Sequence, residues 1–136
     1  MTICALNVRD LSNDKKRRQT LWSKKNQFSL QFVQETHSTK ESGIYWRLKW
    51  GYSTIFTEFV IFDAGLGILF NNNFQFNILK CHTDPEGRFV IADVETGEKI
   101  LTLVNIYASK RDDPIFFRGV GEKMLSLECD LIVFLR

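Results

Sequence analysis

The sequence predicts an α/β fold whose sheets carry helices on their outer faces. Two observations lead to that class. The apolar pattern reads strand, helix, strand at the start, strands alone through the middle, then helix and strand at the end, an order that builds layered sheets with helical covers. The chain has 136 residues at 44% hydrophobic content, which suits one domain over residues 1–136, burying roughly two thirds of the surface its unfolded form exposes. Two stacked domains would not fit.

Residues 2–8 are a short apolar run and read as a first strand. A charged stretch of good helix formers follows, from the capping candidates Ser12 and Asn13 to about Asn26. Residues 29–34 turn apolar again through Leu30, Phe32 and Val33, and a strand there would lie parallel to the first through a right-handed crossover. Glu35 then stands just past that strand's carboxyl end, where ligand chemistry collects in open α/β sheets. Residues 40–49 hold Ile44, Trp46 and Leu48 among polar neighbours, and suit either a helical turn or a further extended piece.

From Gly51 the character changes. Residues 52–56, 66–70, 74–81, 88–94 and 100–107 are apolar stretches punctuated by Gly65 and Gly67, Asn71 to Asn73, Asp84-Pro85-Glu86-Gly87 and Thr96-Gly97-Glu98, and they read as an antiparallel meander. His82 falls in one of its turn regions. Asp113-Pro114 opens a second helix to about Leu127, with Pro114 at its first position and Asp112 or Asp113 as cap. Gly119 and Gly121 inside it each cost about 1 kcal/mol relative to alanine. Residues 130–134 read as a central strand, and a sheet ending there is expected to leave an edge or a face exposed.

The net charge of +2 sets 18 basic against 16 acidic residues, too mild a bias to argue nucleic-acid binding by itself. The one dense basic cluster is Lys15-Lys16-Arg17-Arg18. On a helix it spans a full turn, so it suits a solvated face, non-specific phosphate contact joined by Lys24 and Lys25, or a nuclear-targeting signal. Cys4, Cys81 and Cys129 lack the spacing of a zinc site and read as free thiols of an intracellular protein, with Cys4 and Cys129 as small buried hydrophobes. No segment approaches the ~20 apolar residues that a helical bilayer span requires, so no membrane partner is expected.

Three positions carry candidate chemistry. Asn7 ends the first strand, where its amide offers a donor and a hard acceptor, although a turn asparagine reads the same way. Glu35 offers one carboxylate at a strand end, the kind of ligand Mg²⁺ takes while phosphate and water complete its octahedron; an exposed loop glutamate is the plainer reading. Tyr107 closes an apolar run, and its hydroxyl could donate to a phosphate oxygen or simply rim the core. His37 and His82 have no identified carboxylate partner.

Taken with their spacing these residues resemble a family. Leu6-Asn7-Val8-Arg9, then a basic helix, then Phe32-Val33-Gln34-Glu35-Thr36-His37 resembles the opening of the endonuclease domain of non-LTR (LINE-type) retrotransposons, the apurinic-endonuclease-like members of the endonuclease/exonuclease/phosphatase superfamily. Trp50-Gly51-Tyr52, Gly65-Leu66-Gly67-Ile68-Leu69, Glu86-Gly87-Arg88-Phe89-Val90 and Leu103-Val104-Asn105-Ile106-Tyr107-Ala108 look like the blocks that follow, in the family's order. The resemblance implies a partial two-sheet α/β sandwich, truncated at the C-terminus, with DNA as partner and Mg²⁺ as cofactor. It implies Glu35 as metal ligand, Asn7 holding metal or phosphate, and Tyr107 on the scissile phosphate. The family's later Asp-x-Asn pair, aspartate and histidine have no counterpart in these residues, and Asp130 precedes the strand where the family's aspartate follows it. The expectation is therefore a fragment of a Mg²⁺-dependent DNA endonuclease that is inactive or nearly so alone, because the members of such a site act as a unit.

Two other readings stand beside it. One is a non-catalytic nucleic-acid or protein interaction module, with binding carried by the basic helix or by an exposed sheet edge that pairs with a second copy or another chain. The other is a phosphatase or small-phosphodiester hydrolase of the same superfamily, since one fold hosts several substrates.

Overall fold

The computed structural model describes residues 1–7, 15, 18–21, 28–34, 36, 44, 47–57, 65–73, 75–107, 114–125 and 131–135. Two four-stranded sheets are packed face to face, with helical segments on their outer sides. The first sheet has the order β1 (Ile3–Asn7), β2 (Leu30–Gln34), β4 (Leu66–Phe70), β3 (Thr54–Phe56). The second runs β5 (Asn77–Thr83), β6 (Phe89–Thr96), β7 (Lys99–Ile106), β8 (Leu131–Leu135). Between β7 and β8 comes α1 (Pro114–Leu125).

Side-chain alternation explains the layers. In β2, β4, β6 and β7 every second residue faces the other sheet: Leu30 and Phe32, then Leu66, Ile68 and Phe70, then Val90, Ala92 and Val94, then Leu101 and Leu103 form the central core. The alternate residues form two outer cores. Val33, Phe56 and Leu69 meet Trp50 and the half-buried Leu21, which lie in helical residues 47–50 and 18–21. Phe89, Ile91, Val104 and Ile106 meet Val120, Phe116 and Phe117 of α1. With both faces covered, β4 carries no polar side chain, while β2, buried over its first four residues, carries Gln31 and Gln34 among apolar ones. The outer Trp50 also ties its helix to the sheet, because its indole N–H donates to the Phe70 carbonyl at 3.0 Å.

The parallel pairing of β1 with β2 meets expectation, with Asn7 opposite Gln34 at their carboxyl ends. The middle of the chain does not form one meander. β4 inserts between β2 and β3 in the first sheet, and only β5, β6 and β7 run as an antiparallel meander in the second. A period of two shows which residues share a face and leaves partner choice undecided, so the split has no local signal. Residues 130–134 also shift: β8 lies at an edge of its sheet among the described residues, parallel to β7, not at the centre. His82 lies inside β5, exposed, not in a turn. Residues 74–81 start late as a strand, because Phe76 turns inward to stack on Phe70, with ring centroids 4.3 Å apart.

The β5 edge is exposed along all seven residues, and it is irregular. The register slips between Ile78 and Lys80, a bulge that bends the strand and places a lysine on the free edge. Both devices discourage edge-to-edge pairing. α1 forms despite its glycines because Pro114 starts it and its apolar face has Phe89 and Ile106 to cover. No helix among the described residues is long and apolar enough to cross a membrane.

Candidate active site

One end of the sandwich holds two of the three candidate residues, Asn7 and Tyr107. Because β1, β2, β7 and β8 are parallel neighbours within their sheets, Asn7 and Gln34 end the first pair together, and Asn105 and Leu135 end the second pair together. Hydrogen bonds between Gln34 and the end of β7 place both pairs of ends at the same end of the molecule. Asn7 is exposed as the last residue of β1. Tyr107 is half-buried just beyond β7, packed against the rim of the central core, and its backbone N–H donates to the Arg88 carbonyl at 2.9 Å. Glu35, with its neighbour His37, lies outside the described residues, as do Lys16 and Arg17 of the basic run. Lys15 and Arg18 are exposed. Thr36 is buried, its N–H donating to Gly65 O at 3.1 Å, and its hydroxyl has no hydrogen-bond partner among the described residues.

The residue that joins the sheets was not among the predicted site residues. Asn105 follows Leu101 and Leu103 on the inward face of β7 and is fully buried. A buried carboxamide must find partners or cost about 1–3 kcal/mol. Its Nδ2 donates to Val33 O at 3.2 Å on β2 and to Gly67 O at 3.1 Å on β4, and its Oδ1 accepts from Gln34 Nε2 at 3.2 Å. Gln34 Nε2 also donates to Ile106 O at 2.9 Å. The signal was a carboxamide at an inward position of an otherwise apolar strand.

Arg88 borders the same end of the sandwich with its charge already engaged. Its Nε donates to Asp84 Oδ2 at 3.1 Å, its Nη2 meets Glu86 Oε2 at 2.9 Å, and its guanidinium stacks 4.3 Å from the Phe116 ring centroid. Two carboxylates beside one guanidinium leave little positive field for a phosphate. What Arg88 does supply is the carbonyl that holds the Tyr107 backbone. Among the described residues no three His, Cys, Asp or Glu side chains group as metal ligands. The accessible oxygens at this end are hard ones, those of the exposed Asn7 amide and the half-buried Gln34 amide, and neither Cys4 nor Cys81 sits at the ends of these strands. Hard oxygens are the donor type that Mg²⁺ takes, and the carboxylate that such a site also needs, Glu35, lies outside the described residues.

Comparison with known proteins agrees with this architecture. The chain is 26% identical over 133 residues to an uncharacterized 149 kDa protein of transposon TX1 from Xenopus laevis, covering 96% of the chain and 10% of that protein. No family model matches. The catalytic domain of Xenopus laevis APE2 superposes with a TM-score of 0.71 at 17% identity, over 98% of this chain and 57% of that one. A 3′ phosphatase, NExo, from Neisseria bound to a product DNA hairpin gives 0.70 at 17% identity, over 98% and 56%. Humanized D. rerio TDP2 gives 0.67 at 20% identity, over 98% and 62%. The chain thus spans about three fifths of these solved structures and a tenth of its transposon relative. Two sheets with helical covers superpose over nearly the whole chain on these APE2, NExo and TDP2 structures, so the chain has their two-sheet α/β fold over about three fifths of that fold's extent, and its sequence is similar to part of a transposon protein.

Proposed function

We propose that these residues are the amino-terminal portion of a metal-dependent DNA endonuclease of the transposon type. The observation that carries this reading is the convergence of Asn7, Gln34 and the Asn105-to-Tyr107 segment at one end of the sandwich, with Glu35 next in sequence after Gln34. On this reading Glu35 and Asn7 hold Mg²⁺, which when bound would polarise a phosphodiester for attack by water. The Tyr107 hydroxyl donates to a phosphate oxygen as negative charge develops there. Asn7 orients the same phosphate through its amide N–H.

The relatives support DNA as the partner: one solved neighbour is a 3′ phosphatase bound to a product DNA hairpin, and another, D. rerio TDP2, is complexed with a single-strand DNA product. Residues 1–136 offer the metal carboxylate and the phosphate-contacting tyrosine but no water-orienting aspartate and no histidine in the family's positions. By themselves they are expected to cleave poorly, since such groups act together. The test is nicking of supercoiled plasmid by folded protein with Mg²⁺ or EDTA, beside Glu35→Gln. No nicking above that variant, together with Mg²⁺-dependent DNA binding, is the expected result. Glu35-dependent nicking would overturn the inactivity, and loss of all Mg²⁺ dependence would overturn the metal reading.

A further inference from the structure

The Gln34 and Asn105 side chains form a network whose orientation is fixed without choosing any atom arbitrarily. Val33 and Gly67 present backbone carbonyls, which can only accept, so the Asn105 group facing them at 3.2 and 3.1 Å must be Nδ2. Asn105 Oδ1 then faces Gln34, and the Gln34 group meeting it must be the donor Nε2. The second Nε2 hydrogen points to another obligate acceptor, Ile106 O, at 2.9 Å. Flipping either amide would set oxygen against carbonyl oxygen twice over. The four bonds consume both hydrogens of each amide and leave Gln34 Oε1 outside the network.

This network ties β2 and β4 of one sheet to β7 of the other at the end where the candidate residues stand. Below it, the sheets meet through aliphatic and aromatic contacts, which are non-directional and tolerate sliding. A hydrolytic site split between two sheets cannot tolerate sliding, because a displacement of about 1 Å can cost roughly 100-fold in rate. Gln34 immediately precedes Glu35, and Asn105 stands two residues before Tyr107.

We propose that Gln34 and Asn105 are positioning residues: their amides fix the spacing between the carboxyl ends of β2 and β7, the strand ends that precede Glu35 and Tyr107 in sequence. The benefit of that spacing rests on the endonuclease reading; the spacing itself does not. Replacing both amides by apolar groups of similar shape keeps the packing and removes the direction; no side-chain donor is orphaned, but Val33 O, Gly67 O and Ile106 O each lose a donor. Gln34→Met/Asn105→Leu should therefore melt below the parent while still folding. Hydrogen exchange at the Thr36 and Tyr107 amides should rise at least tenfold more than at amides of the central core, and Mn²⁺ affinity, followed by electron paramagnetic resonance, should fall at least tenfold. Gln34→Met alone, at a half-buried position that water can reach, serves if the double variant does not fold, with the same increase in exchange expected. Unchanged exchange at both amides in a folded variant overturns the proposal. If the parent binds no Mn²⁺, or binds it equally with Glu35→Gln, the metal reading fails, while the exchange data still decide the positioning role.

Discussion

Gly67→Ala tests the packing beneath the site. Gly67 sits in β4 between Val33 of β2 and Phe56 of β3, each its direct cross-strand neighbour. A Cβ at this position would lie 2.5 and 2.6 Å from Phe56 Cε1 and Cδ1 and 2.8 Å from Val33 Cγ2. Relief to ordinary carbon contact needs a shift of about 1 Å. The Phe56 ring cannot swing away freely, because it is 6% exposed and shares its outer core with Trp50 and Leu69. Overpacking of this kind costs about 1–3 kcal/mol, and three simultaneous close contacts place the expected value at about 2–3. For a chain of this length, 1 kcal/mol moves Tm by roughly 3–4 °C, so the variant should melt roughly 7–10 °C lower. Moving β4 also displaces the Gly67 carbonyl that accepts from Asn105, so the loss reaches the site end. The assay is thermal and urea unfolding of the parent, Gly67→Ala, Phe56→Leu and the double variant. The double variant should lose less than the sum of the singles by about 1 kcal/mol, since leucine clears the ring atoms. Additive losses, or a Gly67→Ala variant melting within 1–2 °C of the parent, would refute the clash.

Other outcomes follow from the same packing. Gly119→Ala and Gly121→Ala should each stabilise α1 by about 0.5–1 kcal/mol in urea unfolding, because an added Cβ meets nothing within 4 Å at either position. Thr102→Val should cost about 1–3 kcal/mol, since the fully buried Thr102 hydroxyl donates to Asp93 Oδ1 at 2.7 Å and its loss leaves a buried carboxylate short of a donor; Thr102→Ser should recover most of it. Desolvation raises the thiol pKa of Cys4 and, though its residue is exposed, of Cys81 from the ordinary value of 9.0. Alkylation of either should therefore reach half-maximal rate above pH 9.0. The folded state holds these protons more tightly than the unfolded chain, so this small contribution to stability is complete below the unfolded pKa and is lost as pH rises through the folded one.

The sheets were legible where the chain is apolar on a period of two. Leu66–Phe70 and Leu30–Gln34 appear within a residue of expectation, and the strand-helix-strand start gave the parallel pair. Partner choice was not legible. Nothing in residues 54–56 or 77–83 says which joins which sheet, because a strand's own residues do not name its partner and the decision lies in tertiary packing. The Phe70 to Phe76 stack, a contact across only six residues, accompanies a start of β5 about three residues later than expected.

The site was legible in unequal parts. Asn7 and Tyr107 stand at strand ends, as their places after apolar runs required. Asn105 was passed over as one letter of a motif, yet β7 itself marks it. Its inward positions run Leu101, Leu103, Asn105, and a carboxamide in that phase, with no exposure, must be bonded on every side. The same rule sorts Gln34, which ends a strand that is otherwise buried, from a loop glutamine. A polar residue that breaks an inward apolar phase near a strand end therefore marks where two sheets are tied. Here that tie joins β2 and β4 of one sheet to β7 of the other, and it is directional where the aliphatic contacts below it are not.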